Sequence, residues 1–446
     1  MKRIILLVLI SFIVACSNDT TDFIQPITHS FQVSYSDSYN NLIASNTEIT
    51  LANNEDGKTY TVTTNANGIA AIELVPGNYK VNASKVFTAE EFLDFFGQEV
   101  DTDISFNASL EALNITESTT DNTELKLVSG RIGNLIIKQV YFSGSDVKLG
   151  ALYRDQFFEI YNNSNEQIYL DGLCFAQIYG TNSVSSNLNS YHLPNGQYDW
   201  SQSLNQSDPS NANTNYIYSD EVIQFPGTGE QYPLASRKSV IVAATAVNHK
   251  SPLTVIDDEG EQVVYEVPEP DRTIDLSAAP FEAYYRPYQE SKGSSYLDSD
   301  IDNPNAVNMD IVFKSSGGKD LILDTFGRDA FVIFNATNEE INSWSALPLP
   351  SITSDKYTET TKTYLQIPVS VIIDGVETQR NDPSKGKPKR LVDAIDAGEI
   401  ATIQGKFSSE SVIRKSKTIN GIVIYQDTNN SSNDFEVLAH PQVIID

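Results

Sequence analysis

Apolar and polar residues alternate along much of this chain with a period of two, the pattern of half-buried strands, which confines the fold to mainly β-structure. Phe31, Val33 and Tyr35 alternate with polar neighbours, and residues 47–51, 60–64 and 69–74 repeat the pattern. Turn chemistry separates these runs at residues 53–57, at Asn65-Ala66-Asn67-Gly68 and at Pro76-Gly77. Residues 89–96 are the exception and read as one short helix. A chain of 446 residues exceeds a single sandwich, so two to four domains are expected. With only two cysteines there is no disulfide framework, and apolar cores must hold the domains. Cys174, within Leu173-Cys174-Phe175, reads as a buried small hydrophobe. The net charge of −29 argues against nucleic-acid binding, which needs Lys and Arg to meet phosphates, and against adsorption to anionic lipid.

The N-terminus says where the chain goes. Lys2 and Arg3 precede an apolar run, residues 4–14, broken only by Ser11. A membrane-spanning helix takes roughly 20 apolar residues, so this run is too short to span; it has the length and flanks of a secretory signal. It ends in Ile13-Val14-Ala15-Cys16, which resembles the lipobox of bacterial lipoproteins. The resemblance implies that residues 1–15 are a signal peptide and that Cys16 opens the mature chain with its sulfur acylated, palmitate included. Several acyl chains, at about 0.8 kcal/mol per buried methylene, make a stable anchor. Residues 16–27 then form a tether. Its Asp19 and Asp22 resemble the surface-export signals of Bacteroidota lipoproteins. The expected location is the outer membrane, lipid-anchored and facing the cell surface.

Two modules follow. Over residues 28–120 the order Gly-ended turn, strand, Pro-Gly, then Tyr79-Lys80-Val81 resembles the carboxypeptidase-regulatory, or transthyretin-like, sandwich. That family implies a spacer or interaction module with no catalytic residues. Residues 118–122 read as a linker. Over residues 125–446, Phe158-Glu159-Ile160-Tyr161-Asn162 and Leu170-Asp171-Gly172-Leu173 resemble the lamin-tail domain, an immunoglobulin-like sandwich, with residues 239–243 as a later strand and 427–435 as the closing turn and strand. Leader and modules together resemble a Bacteroidota lipoprotein family of unknown function. The expected fold is therefore mainly β, with tandem immunoglobulin-like and prealbumin-like sandwiches carrying long loop insertions. The insertions are residues 180–220 and 250–308, long enough to be functional. They hold Tyr191, Tyr198, Trp200, Tyr216 and Tyr218; a third stretch, 334–362, holds Trp344. Such aromatics supply contact area for a ligand, or else anchor the loops to the sandwich beneath.

Catalytic patterns are missing from the sequence. His29, His192, His249 and His440 are scattered, with no His-Glu-x-x-His pair, no paired zinc cysteines, no Gly-x-Ser-x-Gly and no phosphate loop. Ser384 and Lys387 stand three apart, but residues 383–390 read as a basic solvated loop. Asp298, Asp300 and Asp302 match the first half of a calcium loop. Its second half fails, because Asn303 stands at the glycine position and Met309 at the bidentate glutamate. A solvated acidic loop is the simpler reading, with calcium as the alternative and no other cofactor implied. Residues 427–434 are ambiguous in the same way. The function these observations favour is non-enzymatic. The chain is expected to be a binding or accessory component of an outer-membrane complex, beside a β-barrel partner such as a TonB-dependent transporter. The alternatives are a glycan-binding or adhesive module, and a hydrolase with unidentified carboxylates.

Overall fold

A computed structural model describes residues 25–445, apart from 37, 38, 40, 97–102, 117–121, 132, 133, 165, 182–188, 258, 316, 317, 420 and 421. The expected signal peptide, Cys16 and most of the expected tether lie outside the described residues. No helix among those described is long and apolar enough to cross a membrane.

The chain is mainly β, in several sheets packed as sandwiches. In the N-terminal part the strands are β1 (Ile27–Tyr35), β2 (Glu48–Asn53), β3 (Thr59–Thr63), β4 (Ile69–Leu74), β5 (Gly77–Phe87), β6 (Ile104–Ile115) and β7 (Asn122–Arg131), with helix α1 (Ala89–Phe96) after β5. They pair in the order β3-β2-β5-β6-β7-β1-β4. The period-two pattern does what it promised. Phe31, Val33, Tyr35, Ile49, Leu51, Val81 and Phe106 all turn into one core. Gly68 adopts φ +69°, and a Cβ there would sit 2.6 Å from the Val33 carbonyl, so the turn before β4 requires glycine. Thr88 and Glu91 exchange side-chain-to-backbone hydrogen bonds of 3.2 and 2.9 Å at the start of α1. The helix thereby delivers Phe92 and Phe96 onto Tyr35 and Phe106. Strand β7 crosses the expected module boundary: it runs parallel to β1 and antiparallel to β6, and its Leu125 and Leu127 fill the N-terminal core.

The rest of the chain forms a second sandwich. One sheet places β8 (Leu135–Tyr141) and β9 (Phe157–Asn162) between Ser239–Ala243 on one side and Ser411–Arg414, then Phe435–Leu438, on the other. The closing turn and strand thus come from the chain's C-terminal end, 427–438. The facing sheet is built on Leu173–Ile178, flanked by Tyr216–Gln224 and Ala330–Asn335, with Ile372–Gln379 beyond. Phe158 from the first sheet stacks on Phe175 from the second, 3.7 Å apart and within 3° of parallel. Strands β8, β9 and Leu173–Ile178 are buried on both faces, which is why they read as continuous apolar runs. Cys174 lies in the apolar cluster on the outer face of its sheet, with Phe334 and Leu391, and burial pushes its thiol up to about 12.

The two sandwiches meet along β5 and β6. Ser109 donates from its amide and hydroxyl to Asp393 at 2.8 and 2.6 Å, Asn107 donates to the Thr428 carbonyl at 3.1 Å, and Lys80 pairs with Glu399 at 3.0 Å.

Candidate functional site

A cleft of about 740 Å³ opens at this junction. One wall is N-terminal, from Leu110, Ala112 and Val128. The other is built by Tyr179, Leu193, Tyr198, Trp200, Tyr216 and Tyr218, and the segment 389–394 closes it. Its size suits a small ligand or a short peptide loop.

The aromatic wall is held from beneath. Asp199 begins a short 3₁₀ turn, Trp200–Gln202, and accepts from the Ser201 amide and hydroxyl at 3.2 and 2.5 Å and from Asn213 Nδ2 at 2.8 Å. Asn213 Oδ1 accepts in turn from the Trp200 amide at 2.9 Å. Burial pushes the Asp199 carboxyl up, but the hydrogen bonds from Ser201, Gln202 and Asn213 outweigh it and leave the group below its ordinary value. Trp200 is only 5 % exposed and stacks on Tyr218 at 3.8 Å. Tyr198 meets its edge at 5.9 Å and is only half-buried, as are Tyr179 and Tyr216. Burial, with the neighbouring Tyr179, pushes the Tyr198 phenol up to about 12, so it stays a neutral donor.

The sequence places Tyr191, Tyr198, Trp200, Tyr216 and Tyr218 together in one loop; the structure divides them. Tyr216 and Tyr218 belong to the strand Tyr216–Gln224, because residues 189–215 fold back onto the sheet they leave. Tyr198, Trp200, Tyr216 and Tyr218 do come together. Tyr191 does not line the cleft; its carbonyl accepts from the Asp199 amide at 2.9 Å. Trp344 packs against Phe334 at 5.8 Å, on the sheet's outer apolar cluster and not in the cleft. Trp200 and Trp344 are anchors. Tyr179, which follows the strand Leu173–Ile178, and Tyr364, stacked on it at 4.3 Å, escaped the sequence reading because nothing local marks them. Nor did any signal reveal that the N-terminal sandwich supplies a wall.

The acidic groups also resolve. Asp300 is buried, its Oδ2 accepting from the Tyr285 amide at 2.8 Å, whereas Asp302 is exposed and accepts from Asn308 at 2.8 Å. The calcium-loop reading of Asp298, Asp300 and Asp302 therefore loses its convergence. Among the described residues no three His, Cys, Asp or Glu side chains gather as a metal site. At the closing turn, the place a cation would take is filled by Arg414, which meets Asp374, Asp427 and Asp434 at 2.6, 3.2 and 3.3 Å. Asp393 is the one carboxylate among the described residues that line the cleft, and it is already tied to Ser109 and to Lys389 at 2.7 Å. A carboxylate pair of the kind glycoside hydrolysis uses is not assembled there.

These features define a β-sandwich protein with a junctional aromatic cleft. Residues 237–442 match the model of the family described as "Protein of unknown function (DUF4876)". A crystal structure of a DUF4876 family protein from Bacteroides thetaiotaomicron is similar over 92% of this chain and 95% of that one, at 25% identity and a TM-score of 0.50. An adhesin candidate from Bacteroides ovatus aligns over 58% of this chain and 88% of its own, at 9% identity and a TM-score of 0.18. A cell adhesion protein candidate from Parabacteroides distasonis gives 54%, 88%, 9% and 0.15 for the same quantities. No curated protein matches the chain.

Proposed function

We propose that this protein is a non-enzymatic binding component of an outer-membrane complex, held at the cell surface by a lipid on Cys16. In this reading a transthyretin-like N-terminal sandwich serves as spacer, and the junctional cleft receives an extracellular loop of a β-barrel partner, such as a TonB-dependent transporter. The observation that carries it is the cleft itself. Half-buried Tyr198 and Tyr216 offer rigid rings with polar tips beside apolar groups from a second module, on a support already satisfied in its own hydrogen bonds. The test is capture from solubilised outer membrane by the tagged full chain and by Tyr198→Ala/Tyr216→Ala. Wild type is expected to recover a barrel protein, and the double variant to recover at least tenfold less, roughly the loss of one interface hot spot. Recovery of the lipoprotein alone, or equal recovery by both, contradicts the proposal.

A second reading, saccharide binding, is favoured by the same two phenol rings, since sugars stack on such faces while hydroxyls meet the polar tips. A glycan array with the two proteins separates the readings. Trp200→Ala is unsuited to either test, because Trp200 is a buried anchor and its loss would loosen the wall.

A further inference from the structure

A cluster of cations lies apart from the cleft. Around the ring of Phe326 stand Lys406 Nζ at 4.3 Å from the centroid, Arg328 Cζ at 4.8 Å and Arg380 Cζ at 4.9 Å. None of these four residues lines the cleft. Lys387 is a fourth cation. Residues 383–390 read as solvated, yet Lys387 is only 6 % exposed. Burial, together with the charges of Arg380, Arg328 and Arg390, holds its ammonium below the usual lysine value. All the charged neighbours acting on it have its own sign.

The loops that carry these groups are built firmly. Gln379, itself buried, donates to the Lys387 carbonyl at 2.7 Å and accepts from the Lys387 amide at 2.8 Å, which clamps the loop. Gly327 takes φ +69°, and a Cβ there would lie 2.5 Å from the Gln379 carbonyl. Glycine thus lets the Phe326 turn close against the strand end that carries Arg380. Acidic partners answer some cations nearby: Arg328 meets Asp324 at 2.5 Å, Lys385 meets Asp382 at 2.9 Å and Arg390 pairs with Glu377. Arg380, Lys387 and Lys406 have no acidic partner among the described residues. In a chain with 59 acidic and 30 basic residues, three unanswered cations in one place is the reverse of what composition would give. A ring face attracts each cation weakly but leaves the net charge standing.

We propose that Arg380, Lys387 and Lys406, with Arg328, form a binding site for a phosphate or sulfate group carried on a soluble ligand. Such a group presents three or more acceptor oxygens and can engage a guanidinium fork and two ammonium groups at once, which chloride cannot do. The buried stem of Lys387 fixes one donor in advance. A soluble ligand is favoured over an anionic membrane surface because the rest of the chain is strongly acidic and repels such a surface.

The experiment titrates the full chain with sodium phosphate and sodium sulfate against sodium chloride at equal ionic strength, by calorimetry. Arg380→Gln/Lys406→Gln and Lys387→Met serve as variants, and thermal melting is run alongside. Wild type is expected to bind phosphate or sulfate saturably, with chloride inert, and each variant to bind roughly tenfold more weakly or worse. Without added anion the double variant should melt no lower than wild type, since it loses like-charge repulsion. Absence of saturable binding by wild type overturns the site. So does undiminished binding by the double variant, or binding to phosphatidic acid vesicles with none to the soluble ions.

Discussion

Arg414→Met is expected to lower folding stability by about 3–5 kcal/mol, the usual result of removing one partner from a buried ion network. Arg414 is buried, its guanidinium among Asp374, Asp427 and Asp434, with its Nε donating to the Ile137 carbonyl at 2.9 Å and its plane over Phe435 at 4.7 Å. Methionine fills the volume and leaves three carboxylates facing one another without a cation. The consequence spreads beyond the closing strand. Asp434 accepts from the Thr428 amide and hydroxyl, both at 2.8 Å, and the Thr428 carbonyl accepts from Asn107 of the N-terminal sandwich at 3.1 Å. Urea unfolding measures the loss, and limited proteolysis should find the junction opened. A loss under about 1 kcal/mol would mean that the network is held together by something other than Arg414.

The second large effect is a stability that declines as pH rises. Asp300 is pushed up to about 8 by burial and by neighbouring Asp320; Asp320 is pushed to about 7 by burial, with Glu221 adding to it; Asp220 reaches about 7 by burial and the same Glu221. Each carboxyl binds its proton more tightly in the folded chain than at its ordinary value of 3.8. Between those values the folded state therefore holds more protons than the unfolded one, and stability falls as pH rises. The contribution is complete below about pH 4 and is lost as pH climbs through about 7 to 8. His29 and His249, both depressed by burial, act in the opposite sense below about pH 6.5 but are fewer. Tm is expected to be at least about 5 °C higher near pH 5 than near pH 8.5. Asp300→Asn and Asp320→Asn should each shrink that difference. Relief of the overall negative charge works in the same direction, but it would leave the slope unchanged in both variants. A slope unchanged in this way, or a flat profile, would refute the carboxyl account.

Much of this was legible in the residues, for reasons that differ by place. Period-two alternation in β1 and β2 marks strands with one face in a core, and the turn at Gly68 is forced by sterics. Phe157–Asn162 and Leu173–Ile178 were legible because fully buried strands are apolar throughout. The cleft was half legible. Tyr198 and Trp200 stand close in sequence and stay close in space, but burial decides that Trp200 anchors while Tyr198 is offered, and burial is a tertiary property. Leu110, Ala112 and Val128 look like ordinary strand residues and become a wall only because two sandwiches dock. Lys387 misled for a related reason: a basic stretch with Pro383 and Gly386 has the composition of solvent-exposed loop, and the clamp by Gln379, eight residues away, is not visible in that composition.

The binding role of the cleft is tested most directly by placing a photo-crosslinking amino acid at Tyr216 in the full-length protein and irradiating whole cells. Covalent attachment to a β-barrel protein is expected from position 216 and not from position 344, where Trp344 packs against Phe334 away from the cleft. Equal labelling from both positions, or none from position 216 while the protein stays at the membrane, would contradict the assignment.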